Sequence, residues 1–111
     1  MLAPSAEVLD TAWIKAMHPG KILAEHYLYE LDISINKLSR ELKVPANRIS
    51  KIVNGERSIT PDTALRLAKY FGTSVELWMN LQATYDAALV TMLKDETFTR
   101  EIVPYAGGSA R

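Results

Sequence analysis

The chain has 111 residues, 48% hydrophobic and 23% charged, a composition for one small folded domain with a single core and not for a disordered chain. It has no cysteine, which excludes disulfides and thiolate zinc sites, and its formal net charge is zero. The opening MLAPSAEVLDTAW has no basic stretch followed by an apolar run, and no apolar segment approaches the ~20 residues that cross a bilayer. A reducing, cytoplasmic setting without a membrane is the expectation.

Residues 1–17 form an arm in which Leu9, Ala12, Trp13 and Ala16 fall at helical spacing. They fit either a short amphipathic helix or a frayed terminus that orders on a partner. Pro19 is predicted to open the first core helix at its first position, where a missing N–H costs nothing, and His18 could cap it. Ala24, Tyr27, Leu28 and Leu31 give that helix a buried stripe, and Asp32 closes it.

Ser34 is a good cap for the next helix, with Leu38 and Leu42 inward and an end at Lys43. Pro45 biases Val44 away from helix and can start another, with Ile49, Ile52 and Val53 inward. Asn54-Gly55 stops it. Thr60-Pro61 is a further start, Ala64, Leu67, Ala68 and Phe71 form its stripe, and Gly72 ends it.

Thr73 with Glu76 reads as a capping box that opens the longest helix, roughly residues 74–93. There Trp78, Leu81, Tyr85, Ala88 and Met92 follow alternating three- and four-residue steps, a coiled-coil-like seam. Leu77, Met79, Ala83 and Val90 are apolar outside it, so the helix has more than one face to bury and the seam is expected to form a dimer interface. The alternative is a core face on one side and the chain's own arms on the other. Pro104, Gly107 and Gly108 mark residues 94–111 as a tail. The predicted organisation is therefore all-α: arm 1–17, domain 18–93 and tail 94–111.

Residues 35–54 are the stretch with a recognisable job. Two short helices joined by a tight turn, the second polar on its outer face, make a helix-turn-helix. Charge supports this. Residues 34–69 hold eight basic and three acidic side chains, a net of +5, whereas residues 1–33 and 70–111 carry −3 and −2. The second helix offers Ala46, Asn47, Arg48, Ser50 and Lys51 to the major groove. Asn can pair with adenine, Arg or Lys with guanine, and Ala with a thymine methyl. Asn36 and Lys37 near the start of the bracing helix, and Asn54, Arg57, Ser58 and Thr60 after the reading helix, are the expected phosphate contacts.

Catalysis has little support. His18 and His26 lack metal-site spacing, no glycine-rich phosphate loop is present, and His26 reads as a surface residue. No metal or cofactor is expected. Trp78 and Tyr85 fit the helix seam better than a stacking platform.

Several blocks, in order, carry a resemblance: residues 18–23 (HPGKIL), 44–60 (VPxNRISxIVNGxRxIT), 62–74 (DTALRLAxYFGTS) and 78–86 (WxNLQxxYD), with x any residue. Together they closely resemble the HigA family of antitoxins over residues 18–86. The resemblance implies a lambda-repressor-like five-helix domain with a helix-turn-helix, a class that is the standard example of that motif. It also implies a homodimer that represses its own operon and a HigB-type toxin, a RelE-like ribonuclease that cleaves mRNA, as the neutralised partner. A stand-alone transcriptional regulator without a toxin is the alternative. In the turn, Lys43 stands where the family usually has glycine, and a left-handed backbone there costs on the order of 1 kcal/mol.

Overall fold

The computed structural model describes residues 12–106; Leu9 of the predicted arm stripe and Gly107 and Gly108 of the predicted tail lie outside them. The described chain is helical: α1 (Ala12–Lys15), α2 (Pro19–Leu23), a π-helical turn (Ala24–Leu28), α3 (Tyr29–Leu31), α4 (Ile35–Leu42), α5 (Ala46–Val53), α6 (Pro61–Phe71) and α7 (Val75–Glu101). Helix α2, the π turn and α3 make one continuous rod. With α4 to α7 it completes a five-helix domain of the lambda-repressor-like kind, to which α1 is a short addition.

The arm enters the fold through a residue outside its predicted stripe. Ile14 is wholly buried, whereas Trp13 and Ala16 are exposed, and α1 lies against α7. Pro19 starts α2 as predicted, and His18 Nδ1 accepts from the Gly20 N–H at 2.9 Å. Gly20 is a close approach between backbones. A Cβ there would lie 1.7 Å from the Ile52 carbonyl oxygen of α5.

The rod buries Leu23, Ala24 and Leu28, but Leu31 of the predicted stripe is 55% exposed. The π turn is the reason. The Tyr29 N–H reaches five residues back to the Ala24 carbonyl, and the extra residue in the turn swings Leu31 out of register. The rod ends at Asp32 with φ 54°.

Ser34 caps α4 by accepting from the Lys37 N–H at 3.0 Å, and Lys43 closes it in the left-handed region at φ 63°. Pro45 sits at the cap of α5 with extended backbone, one position earlier than a helix-opening proline. Ile49 and Ile52 are wholly buried, and Gly55 follows the helix at φ 78°. Thr60 caps α6 by accepting from the Thr63 N–H at 3.4 Å, and Gly72 ends it at φ 71°.

Helix α7 departs most from expectation. Its cap is Ser74, which accepts from the Leu77 N–H at 3.0 Å. Thr73 instead accepts from the indole Nε1–H of Trp78 at 2.8 Å, so the predicted capping box gives way to a single cap at Ser74, with Leu77 and not Glu76 three residues on. Trp78 is wholly buried in the core, with ring centroids of Tyr27 at 5.1 Å and Phe71 at 6.5 Å. It cannot serve a dimer seam, because the first turns of α7 lie across the core. Leu81 packs against that core, and Tyr85 is half-buried with its ring edge-on to His18 at 4.7 Å. The last buried residue on α7 is Gln82. Beyond it the helix runs past the predicted end at Leu93 to Glu101, which makes α7 as a whole a rod of roughly 40 Å. Ala88 and Met92 are half-exposed, and Val90, Leu93 and Phe98 are exposed.

Candidate nucleic-acid interface

Helix α5 sorts its residues by face. Ile49 and Ile52 point into the core. Ala46, Asn47, Lys51 and Asn54 are exposed and Ser50 is half-exposed. Asn47, Ser50, Lys51 and Asn54 recur at i, i+3, i+4 and i+7, so they line one outward stripe. The stripe offers amide, hydroxyl and ammonium groups able to bond to base edges.

Arg48 is not part of that stripe. Its Nη1 donates to Asp62 Oδ1 at 3.1 Å, at the start of α6, and its Nε is buried with no hydrogen-bond partner. Arg66 Nε donates to the same oxygen at 2.7 Å, and Arg66 Nη1 donates to the Leu42 carbonyl at 2.8 Å. This chain of contacts clamps α5, α6 and the C-terminal end of α4 together. Arg66 also satisfies a carbonyl that the helix end leaves unpaired. The hydrogen bond from Arg66 holds the Asp62 carboxyl below its ordinary range; desolvation opposes it, and the Arg66 charge and Arg48 add smaller lowering effects. Arg48, expected to read bases, here braces α5 against α6 through Asp62.

The rim residues are open to solvent. Asn36, Lys37, Asn54, Arg57 and Ser58 are exposed, as is Thr60, whose hydroxyl is engaged in capping α6. Lys37, Arg40, Lys43, Lys51, Arg57 and Lys69 are exposed cations in the same segment, so its positive charge faces solvent. Arg57 and Ser58 lie in the loop between α5 and α6. That loop is anchored twice at Ile59: its side chain is wholly buried, and its N–H donates to Gln82 Oε1 at 2.7 Å.

Asp62, Arg66 and Gln82 do not stand out in the sequence as site residues, yet each carries a signal. The Asp62–Arg66 pair has the four-residue spacing of a helical ion pair. Gln82 is a polar residue four positions after Trp78, which puts it on the buried face of α7. Nothing local announces that Arg48 meets Asp62 across two helices.

His18 sits beside this region, buried and edge-on to Tyr85. Burial lowers its pKa, and the Asp86 charge opposes that shift. It lines a cleft of about 670 Å³ at the C-terminal end of α5, together with Lys15, Lys21, Glu56 and Tyr85.

Comparison with known proteins agrees with this architecture. A helix-turn-helix family model matches residues 25–78. The chain is 42% identical over 89 residues to virulence-associated protein I of Dichelobacter nodosus, covering 80% of this chain and 81% of that one. A solved structure of the Pseudomonas aeruginosa antitoxin HigA with the higBA promoter is similar with a TM-score of 0.76 at 44% identity, covering 78% of this chain and 95% of that one. An addiction module antidote protein of the HigA family from Coxiella burnetii gives a TM-score of 0.75 at 48% identity, covering 79% and 96%. With helix order, turn and likeness in agreement, the chain belongs to the HigA family of helix-turn-helix antitoxins.

Proposed function

We propose that this chain is the antitoxin of a type II toxin–antitoxin module. As a cytoplasmic homodimer it represses its own operon by major-groove binding to operator DNA. It also neutralises a HigB-type, RelE-like ribonuclease toxin, and has no enzymatic activity of its own. The observation that carries the DNA half is the outward stripe Asn47, Ser50, Lys51 and Asn54 on a short helix fixed on its other faces. The likeness to the P. aeruginosa antitoxin with its promoter supports the same reading. The stripe reads bases, and Asn36, Lys37, Arg57 and Ser58 hold phosphates around it. The dimer forms through the part of α7 beyond Gln82, which carries Ala88 and Met92 of the predicted seam and the exposed Val90 and Leu93.

Two measurements test this. In a duplex covering the region upstream of its own coding sequence, Lys51→Ala should weaken binding and relax base preference. Lys37→Ala should weaken all duplexes alike and lower the slope of log K against log salt by about 0.9. Equal base preference in the parent and Lys51→Ala would remove the groove assignment. For the second half, the adjacent small reading frame is expressed with and without this chain. Growth arrest rescued by the chain supports the antitoxin, whereas no arrest or no rescue leaves a stand-alone regulator.

A further inference from the structure

We propose that Gln82 is a positioning residue for operator binding: from α7 it fixes the loop that presents Arg57 and Ser58 to the DNA backbone. The inference rests on the operator-binding reading above and adds to it a residue that touches no DNA.

The loop between α5 and α6 has no secondary structure to hold its phosphate-facing residues. Arg57 and Ser58 are exposed, and Glu56 donates its N–H to the Lys51 carbonyl at 2.8 Å. Past that bond, the fixed point before the Thr60 cap is Ile59. Its side chain is in the core, and its N–H donates to Gln82 Oε1 at 2.7 Å. Gln82 is buried and engages both ends of its amide here, because its Nε2 donates to Asp86 Oδ1 at 3.0 Å. Asp86 thus holds the amide in the orientation that points the oxygen at the loop.

The chemistry of the pair makes the role specific. A buried backbone N–H without an acceptor is costly, so the loop segment follows the glutamine oxygen. Removing that oxygen frees the loop to move towards water, and Arg57 and Ser58 with it. The core should survive, because Gln82 is not a member of the apolar cluster around Trp78. Losing one phosphate contact lowers the salt slope by about 0.9, and the pre-ordering of the others is lost as well.

The test is fluorescence anisotropy with a labelled duplex covering the chain's own upstream region, at temperatures well below unfolding. Gln82→Met should bind on the order of tenfold more weakly than the parent. Its salt slope should fall by about one, and its base preference should be unchanged.

Gln82→Glu supplies a readout that a packing role would not move. The carboxylate keeps the acceptor for Ile59 but meets Asp86 across a hydrogen-bond distance, and two such carboxylates share a proton at low pH. Once protonated, the carboxyl of this variant donates to Asp86 as the amide does, so affinity relative to the parent should recover as pH falls and drop as it rises. Asp86 on α7 bonds Gln82 and acts on His18 at the start of α2, and His18 shares a cleft with Lys15 on α1, Lys21 on α2, Glu56 after α5 and Tyr85 on α7. All are present in both proteins, so the ratio at each pH isolates residue 82.

Parent-like affinity and salt slope in Gln82→Met overturn the inference and leave operator binding intact. A pH-independent ratio for Gln82→Glu also overturns it. Failure of the parent to bind any upstream duplex overturns the operator-binding reading, and the inference falls with it.

Discussion

Lys43 carries a side chain through a left-handed turn, φ 63°, between the two helices that must meet at a fixed angle. An L-residue there costs on the order of 1 kcal/mol relative to glycine. Lys43→Gly should therefore raise stability by about 1 kcal/mol in urea unfolding, part of that gain being offset by the greater freedom of glycine in the unfolded chain. A second residue, His18, ties stability to pH. Its folded pKa lies below the ordinary 6.5 because burial disfavours the charged ring, and Asp86 only partly compensates. The unfolded chain thus binds the proton first. The stability this residue contributes is complete above 6.5 and is lost as pH falls from there towards the depressed folded value. Asn at this position keeps an acceptor for the Gly20 N–H but does not titrate. Thermal stability of His18→Asn should vary less with pH than that of the parent between about pH 7 and 5, and an unchanged slope would assign that dependence elsewhere. Asp62 is also depressed, by its arginine partners, but its window lies below 3.8 and does not overlap.

At the scale of elements, the decisive contact is α2 on α5. Gly20 lets two backbones touch, and a methyl group there would overlap the Ile52 carbonyl. Gly20→Ala should push the reading helix off its support and destabilise the domain by about 3 kcal/mol or more. Gly72→Ala makes the control. Its Cβ would meet nothing within 4 Å, so only the left-handed backbone at φ 71° is strained, at about 1 kcal/mol. Parent-like stability of Gly20→Ala would mean that the α2–α5 contact yields without cost, because Gly20 has helical backbone at which alanine is favoured.

The same scale shows what a sequence discloses. Ser34, Thr60, Pro19 and Gly72 are readable because each acts on the backbone within a few residues of itself. The stripe of α5 is readable because one helix decides it. Leu31 defeats the pattern because the π turn breaks the 3.6-residue period. Trp78 looks like seam because a heptad pattern cannot say whether its partner is the same chain or another. Arg48 and Gln82 depend on Asp62 and Ile59, contacts made only after the helices dock. The end of α7 lies later than expected because the polar run from Lys94 to Thr97 resembles a tail, yet no proline or glycine interrupts it before Pro104.

For the whole molecule, α7 divides into a part that serves the core and a part that does not, and the proposed dimer rests on the second. Up to Gln82 the helix serves the core; beyond it none of the described residues is buried, and Val90, Leu93 and Phe98 present apolar surface to water. An apolar rod of this kind has a reason to meet a second copy. A charge placed there should therefore act on the dimer and spare the fold. Met92→Asp should elute as a monomer at low micromolar concentration, with helical circular dichroism and melting close to the parent. Its operator affinity should fall because two reading helices no longer bind half-sites about 34 Å apart as one unit. Trp78→Ala should behave in the opposite order, losing the fold before any question of assembly arises, by about 3–5 kcal/mol. A dimeric Met92→Asp would move the interface off this part of α7, and the exposed Trp13 on α1 would then be the next surface to test.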